Sequence, residues 1–212
     1  MSQNNPKLLN LVDYINPVLN ETSQKVSLSE INSDLIQGVI DRMLDLASRQ
    51  SDMDNDSRQM VGLAAVQIGV KKRIIIIDIS ADGSHKKQHL EAVINPLITK
   101  ASKEKVSGRE GCWSCGNICG NVERSRSLVL TGLDRYGKKI VFDLDDFVAR
   151  IAQHEIDHLD GIRFPDRIPL DQPKNLHWVE PDQFEDYRLN WQNWPILCPR
   201  ELWEDMKAGT VG

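Results

Sequence analysis

The chain has 212 residues, of which 40% are hydrophobic and 27% charged, with a formal net charge of −5. This is the composition of one globular domain with at most an appendage. The acidic balance argues against a general DNA or RNA surface, which needs a basic excess. Met1 to Asn10 is polar and reads as no secretory signal. The isoleucine run Ile74 to Ile77 falls far short of the roughly 18 apolar residues a membrane helix needs, so the cytosol is the default location.

Residues 1–30 carry Pro6 and Pro17 with little periodicity and read as an extended arm laid over the surface. From Ile31 to Arg49 the apolar residues Leu35, Ile36, Val39, Ile40, Met43, Leu44 and Ala47 follow the helical period, with Ser33 as N-cap. Residues 51–59 are polar and read as a loop. Arg73 to Ser80 is a buried strand that ends in a turn at Asp82-Gly83. Ala92 to Thr99 is a second strand, interrupted by Asn95-Pro96. Leu128 to Leu133 and Lys138 to Leu144 form a hairpin around Arg135-Tyr136-Gly137. Asp145 or Asp146 caps a helix from Phe147 to about Asp160, which stops at Gly161.

Short strands thus precede one late helix, and no βαβ unit repeats, so the fold class is α+β. Pro165, Pro169 and Pro173 mark a boundary. Residues 1–168 read as the main domain, with 1–30 as its arm, and residues 169–212 as a C-terminal extension. Four tryptophans lie in that extension: Trp178, Trp191, Trp194 and Trp203. They read as rings that pack the extension onto the domain, with a partner or dimer surface as the alternative. The oligomeric state stays open.

The late helix carries the most informative run, Gln153-His154-Glu155-Ile156-Asp157-His158-Leu159-Asp160-Gly161. Two histidines four apart project from one helix face and can bind one metal ion. The glutamate between them can handle a proton for a water activated there. The third ligand is open. Downstream stand His177, Glu180 and Glu185; upstream, Gly108-Arg109-Glu110-Gly111-Cys112-Trp113-Ser114 offers a thiolate at Cys112. A Cys-His-His set leaves one position free, as a catalytic site requires. Between Val61 and Gly69, the small residues Gly62, Ala64 and Ala65 allow close backbone approach, and Gln67 carries an amide that can stabilise an oxyanion.

Three of the four cysteines, Cys112, Cys115 and Cys119, fall within eight residues, and Cys198 is distant. Cys115 and Cys119 read as loop cysteines without a role of their own, the alternative being that Cys115 oxidises against Cys112. His85 and His89, beside Lys86 and Lys87, read as solvated surface.

Three segments stand in one order: Gly62-Leu63-Ala64-Ala65-Val66-Gln67, Glu110-Gly111-Cys112-Trp113-Ser114 and His154-Glu155-Ile156-Asp157-His158-Leu159. Together they resemble the peptide deformylase family. Val122-Glu123-Arg124 and Phe164-Pro165-Asp166-Arg167-Ile168 support the resemblance, which spans about residues 58 to 168. It implies a fold of antiparallel strands packed around a central metal-binding helix, followed here by the C-terminal extension. It also implies removal of the formyl group from formylmethionyl peptides.

Residue by residue, the resemblance implies that Cys112, His154 and His158 hold one divalent ion, Fe²⁺ foremost, with Zn²⁺ or Ni²⁺ as substitutes. Glu155 is the general base and acid. Gln67 and the Trp113 N–H bind the oxyanion. Val61 and Gly62 pair with the substrate backbone, and Glu110 and Arg124 form an ion pair. The chain departs from the family at Met60, where glycine is usual, at Trp113, where leucine is usual, and after Ser114, where proline is missing. Trp113 is expected to narrow the mouth of the site. Lys174, Arg188, Arg200 and Lys207 in the extension raise the question of a transient ribosome contact.

Overall fold

The structure is a computed structural model describing residues 6, 9–48, 60–82 and 88–210. The loop read at 51–59 lies outside the described residues, as do His85, Lys86 and Lys87, read as solvated surface, and Gly83 of the expected turn.

One five-stranded antiparallel sheet organises the first half of the fold. Its strands are β1 (Gly62–Ala64), β2 (Ile74–Asp78), β3 (Leu90–Ala101), β6 (Ser127–Leu133) and β7 (Lys139–Asp145), in the order β1-β2-β3-β6-β7. The run Ile74 to Ile77 does not alternate with polar residues because β2 is covered on both faces. Ile74 and Ile76 join the cluster under helix α2 (Asp34–Ser48), together with Ile36, Val39, Ile40, Met43 and Ala47. Ile75 and Ile77 join the opposite cluster under helix α3 (Asp146–Leu159), with Ala149, Ile151, Ala152 and Leu159. Successive strand residues face opposite sides, so a strand between two helices must be apolar throughout. Each such isoleucine contributes about 1.5–3 kcal/mol of burial.

Both helices fall close to their expected bounds. Ser33 Oγ accepts the Ile36 N–H at 3.3 Å at the start of α2. At the start of α3, Asp145 holds the N-cap position, although its side chain makes no capping hydrogen bond.

The N-terminal arm departs from its reading as a surface strap. It contains a 3₁₀ turn at Pro17–Asn20 and a short helix α1 (Leu28–Ile31), and Leu19, Val26 and Ile31 are buried. Its apolar residues complete the core edges, and the Ser23 N–H donates to Leu159 O at the end of α3 at 2.7 Å.

The expected break at Asn95-Pro96 is a bulge inside one continuous strand, with the register shifting between Ile94 and Leu97. Asn95 takes φ +52, a region asparagine tolerates better than most residues. Its side chain then serves the arm. It accepts from Val26 N at 2.9 Å and donates to Val26 O at 2.8 Å.

A second sheet was not read from the sequence. Its strands are β4 (Lys105–Gly111), β5 (Ile118–Ser125) and β8 (Leu176–Trp178), in the order β4-β5-β8. Cys112 therefore stands at the end of a strand, Cys119 lies within one, and a 3₁₀ turn at Trp113–Cys115 connects them. The extension continues through α4 (Phe184–Asn190) and α5 (Arg200–Ala208). Trp203 is fully buried and donates from Nε1 to Asp166 Oδ1 at 2.9 Å. Trp194 donates to Trp178 O at 2.9 Å and stands edge-on to Tyr187. The tryptophans thus pack the extension against the second sheet. No described helix is long and apolar enough to cross a membrane.

The bulge gives a direct test. Asn95→Ala removes both bonds to Val26 and places alanine at positive φ, and should destabilise the protein by about 1–3 kcal/mol in urea unfolding. Asn95→Gly relieves the backbone strain only and should recover part of that loss. An unchanged midpoint in both variants would show that the arm is held elsewhere.

Candidate metal centre

Helix α3 presents two faces with different tasks. Ala149, Ala152 and Leu159 face the sheet core, while Arg150, His154, Asp157 and His158 recur at the i, i+4, i+7, i+8 spacing of one stripe. That stripe meets the β4–β5 hairpin, which brings Cys112 to it. One donor atom each from Cys112, His154 and His158 lies within 4.8 Å of the others. His158 Nε2 is 3.3 Å from Cys112 Sγ. The downstream alternatives are not part of this cluster. His177 is buried within the extension, held by Tyr187 Oη at 3.0 Å and Lys174 O at 2.9 Å. Glu180 accepts from the Trp178 indole and Glu185 pairs with Arg188.

The donor set suits a soft-to-borderline divalent cation. His154 donates from Nδ1 to Glu110 Oε2 at 2.9 Å, which leaves its Nε2 lone pair for a ligand. Burial alone would lower the His154 pKa, yet hydrogen bonds to Cys112 and Glu110 hold it well above the ordinary value. Cys112 is held well below the usual thiol value, first by a hydrogen bond from Cys115 and further by the His158 charge, against burial. Cys115 itself is buried, and burial pushes its thiol up. A thiolate beside a protonated ring is the arrangement a metal ion exchanges for protons. Two buried atoms here, Glu155 Oε2 and His158 Nδ1, have no hydrogen-bond partner among the described residues. The convergence of one thiolate and two imidazole nitrogens fits a bound divalent ion.

Glu110 fixes this geometry. Arg124 grips it with two bonds, Nε to Oε1 at 2.9 Å and Nη2 to Oε2 at 3.0 Å. Arg150 adds a third, Nη1 to Oε1 at 2.7 Å. Burial would raise the Glu110 pKa, but the His154 and Arg124 bonds and the Arg124 charge hold it well below the usual carboxylate range. Arg124 also pairs with Asp157, which Arg167 binds from the other side. Asp157 and Arg150 have no role assigned from the sequence. A charge recurring on the His154 face at Arg150 was the available signal.

Gln67 is oriented without ambiguity. Its Oε1 accepts the Ala64 N–H at 2.8 Å, and a backbone N–H can only donate. The amide NH₂ therefore points the other way, 3.1 Å from Ser114 Oγ and 3.4 Å from Cys112 Sγ. Trp113 opens the turn after Cys112 and is 58% exposed. The Met60 side chain packs against the cluster under α2. Strand β1, which contains Gly62, is an edge of the five-stranded sheet. Val61 O, just before it, accepts from Asp78 N at 2.8 Å. Gly62 lies directly against Glu155: a β-carbon there would come within 2.9 Å of both Glu155 Cγ and Cδ. Burial pushes the Glu155 carboxyl up to about 7, with the His154 and His158 charges opposing.

A His-Glu-x-x-His helix, an upstream thiolate and an α+β scaffold define a metal-dependent hydrolase. The family model described as polypeptide deformylase matches residues 8–174. A peptide deformylase from Thermodesulfovibrio yellowstonii is 38% identical over 161 residues, covering 76% of this chain and 89% of that protein. One from Symbiobacterium thermophilum is 44% identical over 125 residues, 59% of this chain and about half (55%) of that relative's length. The crystal structure of a class I type b peptide deformylase from Acinetobacter baumannii with bound Met-Ala-Ser superposes with a TM-score of 0.66 at 30% identity, over 76% of this chain and 98% of that one. The chain belongs to the peptide deformylase family.

The Gly62 contact predicts a specific defect. Gly62→Ala should press the added methyl into Glu155 and lower kcat/KM for formate release on the order of 100-fold, since small misplacements of a reacting group have effects of that size. Metal content measured on the same sample should stay at the wild-type level; parallel loss of metal would mean the contact acts on the donor set instead.

Proposed function

We propose that the chain removes the formyl group from the amino-terminal formylmethionine of nascent peptides, releasing formate and a free amine. The observation that carries this reading is the convergence of Cys112, His154 and His158 on one point, with Glu155 and Gln67 beside it. In this reading the three residues hold one divalent ion. Fe²⁺ is the ion we assign, with Zn²⁺ or Ni²⁺ as substitutes the same donors accept. Bound there, the ion would supply Lewis acidity and make a water molecule easier to deprotonate.

The chain's own groups do the rest. Glu155 takes the proton from the attacking water and passes it to the leaving amine. Its buried position beside two imidazoles suits both tasks, because neither protonation state is strongly preferred near neutral pH. The Gln67 NH₂, locked by Ala64, and the Trp113 N–H, at the N-terminal end of its turn, donate to the oxygen that becomes charged as the formyl carbon turns tetrahedral. The edge of β1 at Val61 and Gly62 receives the substrate backbone as an added strand.

The location we infer is the cytoplasm, where nascent formylated peptides arise. Residues 1–168 form the catalytic domain and 169–212 its extension; a brief ribosome contact through the extension's basic residues belongs to the same reading.

Protein loaded with Fe²⁺ or Ni²⁺ without oxygen should release formate from formyl-Met-Ala-Ser. Glu155→Gln should lower kcat by about 10²–10⁴-fold with metal content kept. Release no faster than from this variant would defeat the assignment.

The pH dependence has a defined sign. The carboxylate is the active form of Glu155, so kcat/KM should fall as pH drops through its pKa and level off above it. Burial sets that limb at about 7 before a metal is present, and a neighbouring cation can only move it lower. An activity that rises on acidification would exclude Glu155 as the base.

A further inference from the structure

Arg150 takes no part in the reaction proposed above, yet it is 8% exposed and its guanidinium is committed in several directions at once. It sits one helical turn before His154 on the same stripe of α3. Nη1 donates to Glu110 Oε1 at 2.7 Å and to Val122 O at 2.8 Å. Nη2 donates to Val106 O at 2.7 Å, and Gly108 O lies at 3.4 Å from Nη1. Val106, Gly108 and Glu110 belong to β4, and Val122 faces Gly108 across the β4–β5 ladder. One planar group therefore fastens the metal-centre helix to both strands of the hairpin that delivers Cys112.

The strand makes room for it. A β-carbon on Gly108 would lie 2.8 Å from Arg150 Nη2 and 2.9 Å from Cζ. Glycine at 108 and arginine at 150 form a matched pair. Glu110 is the hinge of the arrangement: Oε1 takes Arg150 and Arg124, and Oε2 takes Arg124 and His154 Nδ1. With both oxygens held, Oε2 can meet the His154 ring from one direction only. A second guanidinium on Oε1 also draws charge away from Oε2, which moderates how strongly Glu110 polarises the ring.

We infer that Arg150, seated over Gly108, is a positioning residue for the metal centre: through Glu110 it sets the direction and donor strength of His154. The inference rests on the proposed Cys112-His154-His158 centre and goes beyond it by assigning a residue outside the ligand set.

The test is the affinity of the full chain for Zn²⁺ and Co²⁺, measured by competition with a chromophoric chelator, together with the visible spectrum of the Co²⁺ form. Arg150→Met keeps the volume and removes the donors. It should weaken metal binding by about 10–100-fold, the usual range for groups that orient a ligand, and shift the Co²⁺ bands. Arg150→Lys keeps one charged donor and should fall between Met and wild type. Gly108→Ala should weaken binding in the wild type by displacing the guanidinium and add nothing in Arg150→Met. A purely structural role would lower the urea midpoint and leave affinity and spectrum unchanged in the folded protein. Affinity of Arg150→Met within about twofold of wild type would overturn the inference. Should Arg150→Met fail to fold, Gly108→Ala decides the matter by the same criterion. Failure of the wild-type chain to bind either ion would overturn the metal centre itself, and the inference with it.

Discussion

The Glu110 carboxylate is the constraint around which the site is built. A buried carboxylate must be ionised and fully paired, or neutral, and the choice is expensive to get wrong: removing one partner from a buried pair typically costs about 3–5 kcal/mol. Here two guanidiniums and one imidazole supply four hydrogen bonds. The donors come from two elements that are far apart along the chain. Arg124 lies on β5, while Arg150 and His154 are on α3. Satisfying one charge therefore fixes the distance between the second sheet and the helix, and with it the approach of Cys112 to the two histidines.

That helix serves two chemistries because its stripes are separate. The alanine face must be small to lie close against β2, whose isoleucines need cover from both sides. The opposite face is free to be polar because it meets strands that carry polar partners. Position along the helix then decides role: Arg150 braces, His154 and His158 face the thiolate, and Glu155 turns toward the edge strand where Gly62 gives it room.

The sequence was legible where local periodicity and burial agree. Helices α2 and α3, strand β2 and the β6–β7 hairpin announce themselves by spacing, and the site residues by motif. Strand β4 did not, because Lys105-Val-Ser-Gly-Arg-Glu-Gly111 is mostly polar or glycine. Its inward residues face an ion network and a guanidinium instead of a hydrocarbon core, so the apolar alternation that marks a strand is missing. Strands β1 and β8 have three residues each, too few for any period to register. The Asn95-Pro96 signal was real but read as a break, since a dipeptide cannot tell a chain end from a bulge whose side chain holds the arm. Arg150 and Arg163 went unread for a common reason: arginine is usually exposed, and only tertiary partners explain why these two are not.

Arg163 shows what that burial accomplishes. It is 1% exposed, donates to Tyr14 O and Ser114 O at 2.8 Å and to Asn20 Oδ1 at 2.9 Å, and lies 4.5 Å from the centroid of the Trp203 ring. The amino-terminal arm, the turn after Cys112 and the last helix thus meet at a single cation. The indole works as a gasket. While it is seated, water cannot reach the guanidinium, and the Ser114 carbonyl keeps its donor. Lift it, and solvent competes for every bond Arg163 makes, including the one that shapes the backbone beside the thiolate. The most distant stretch of the chain is, in this sense, a waterproofing layer for the turn that carries the cysteine.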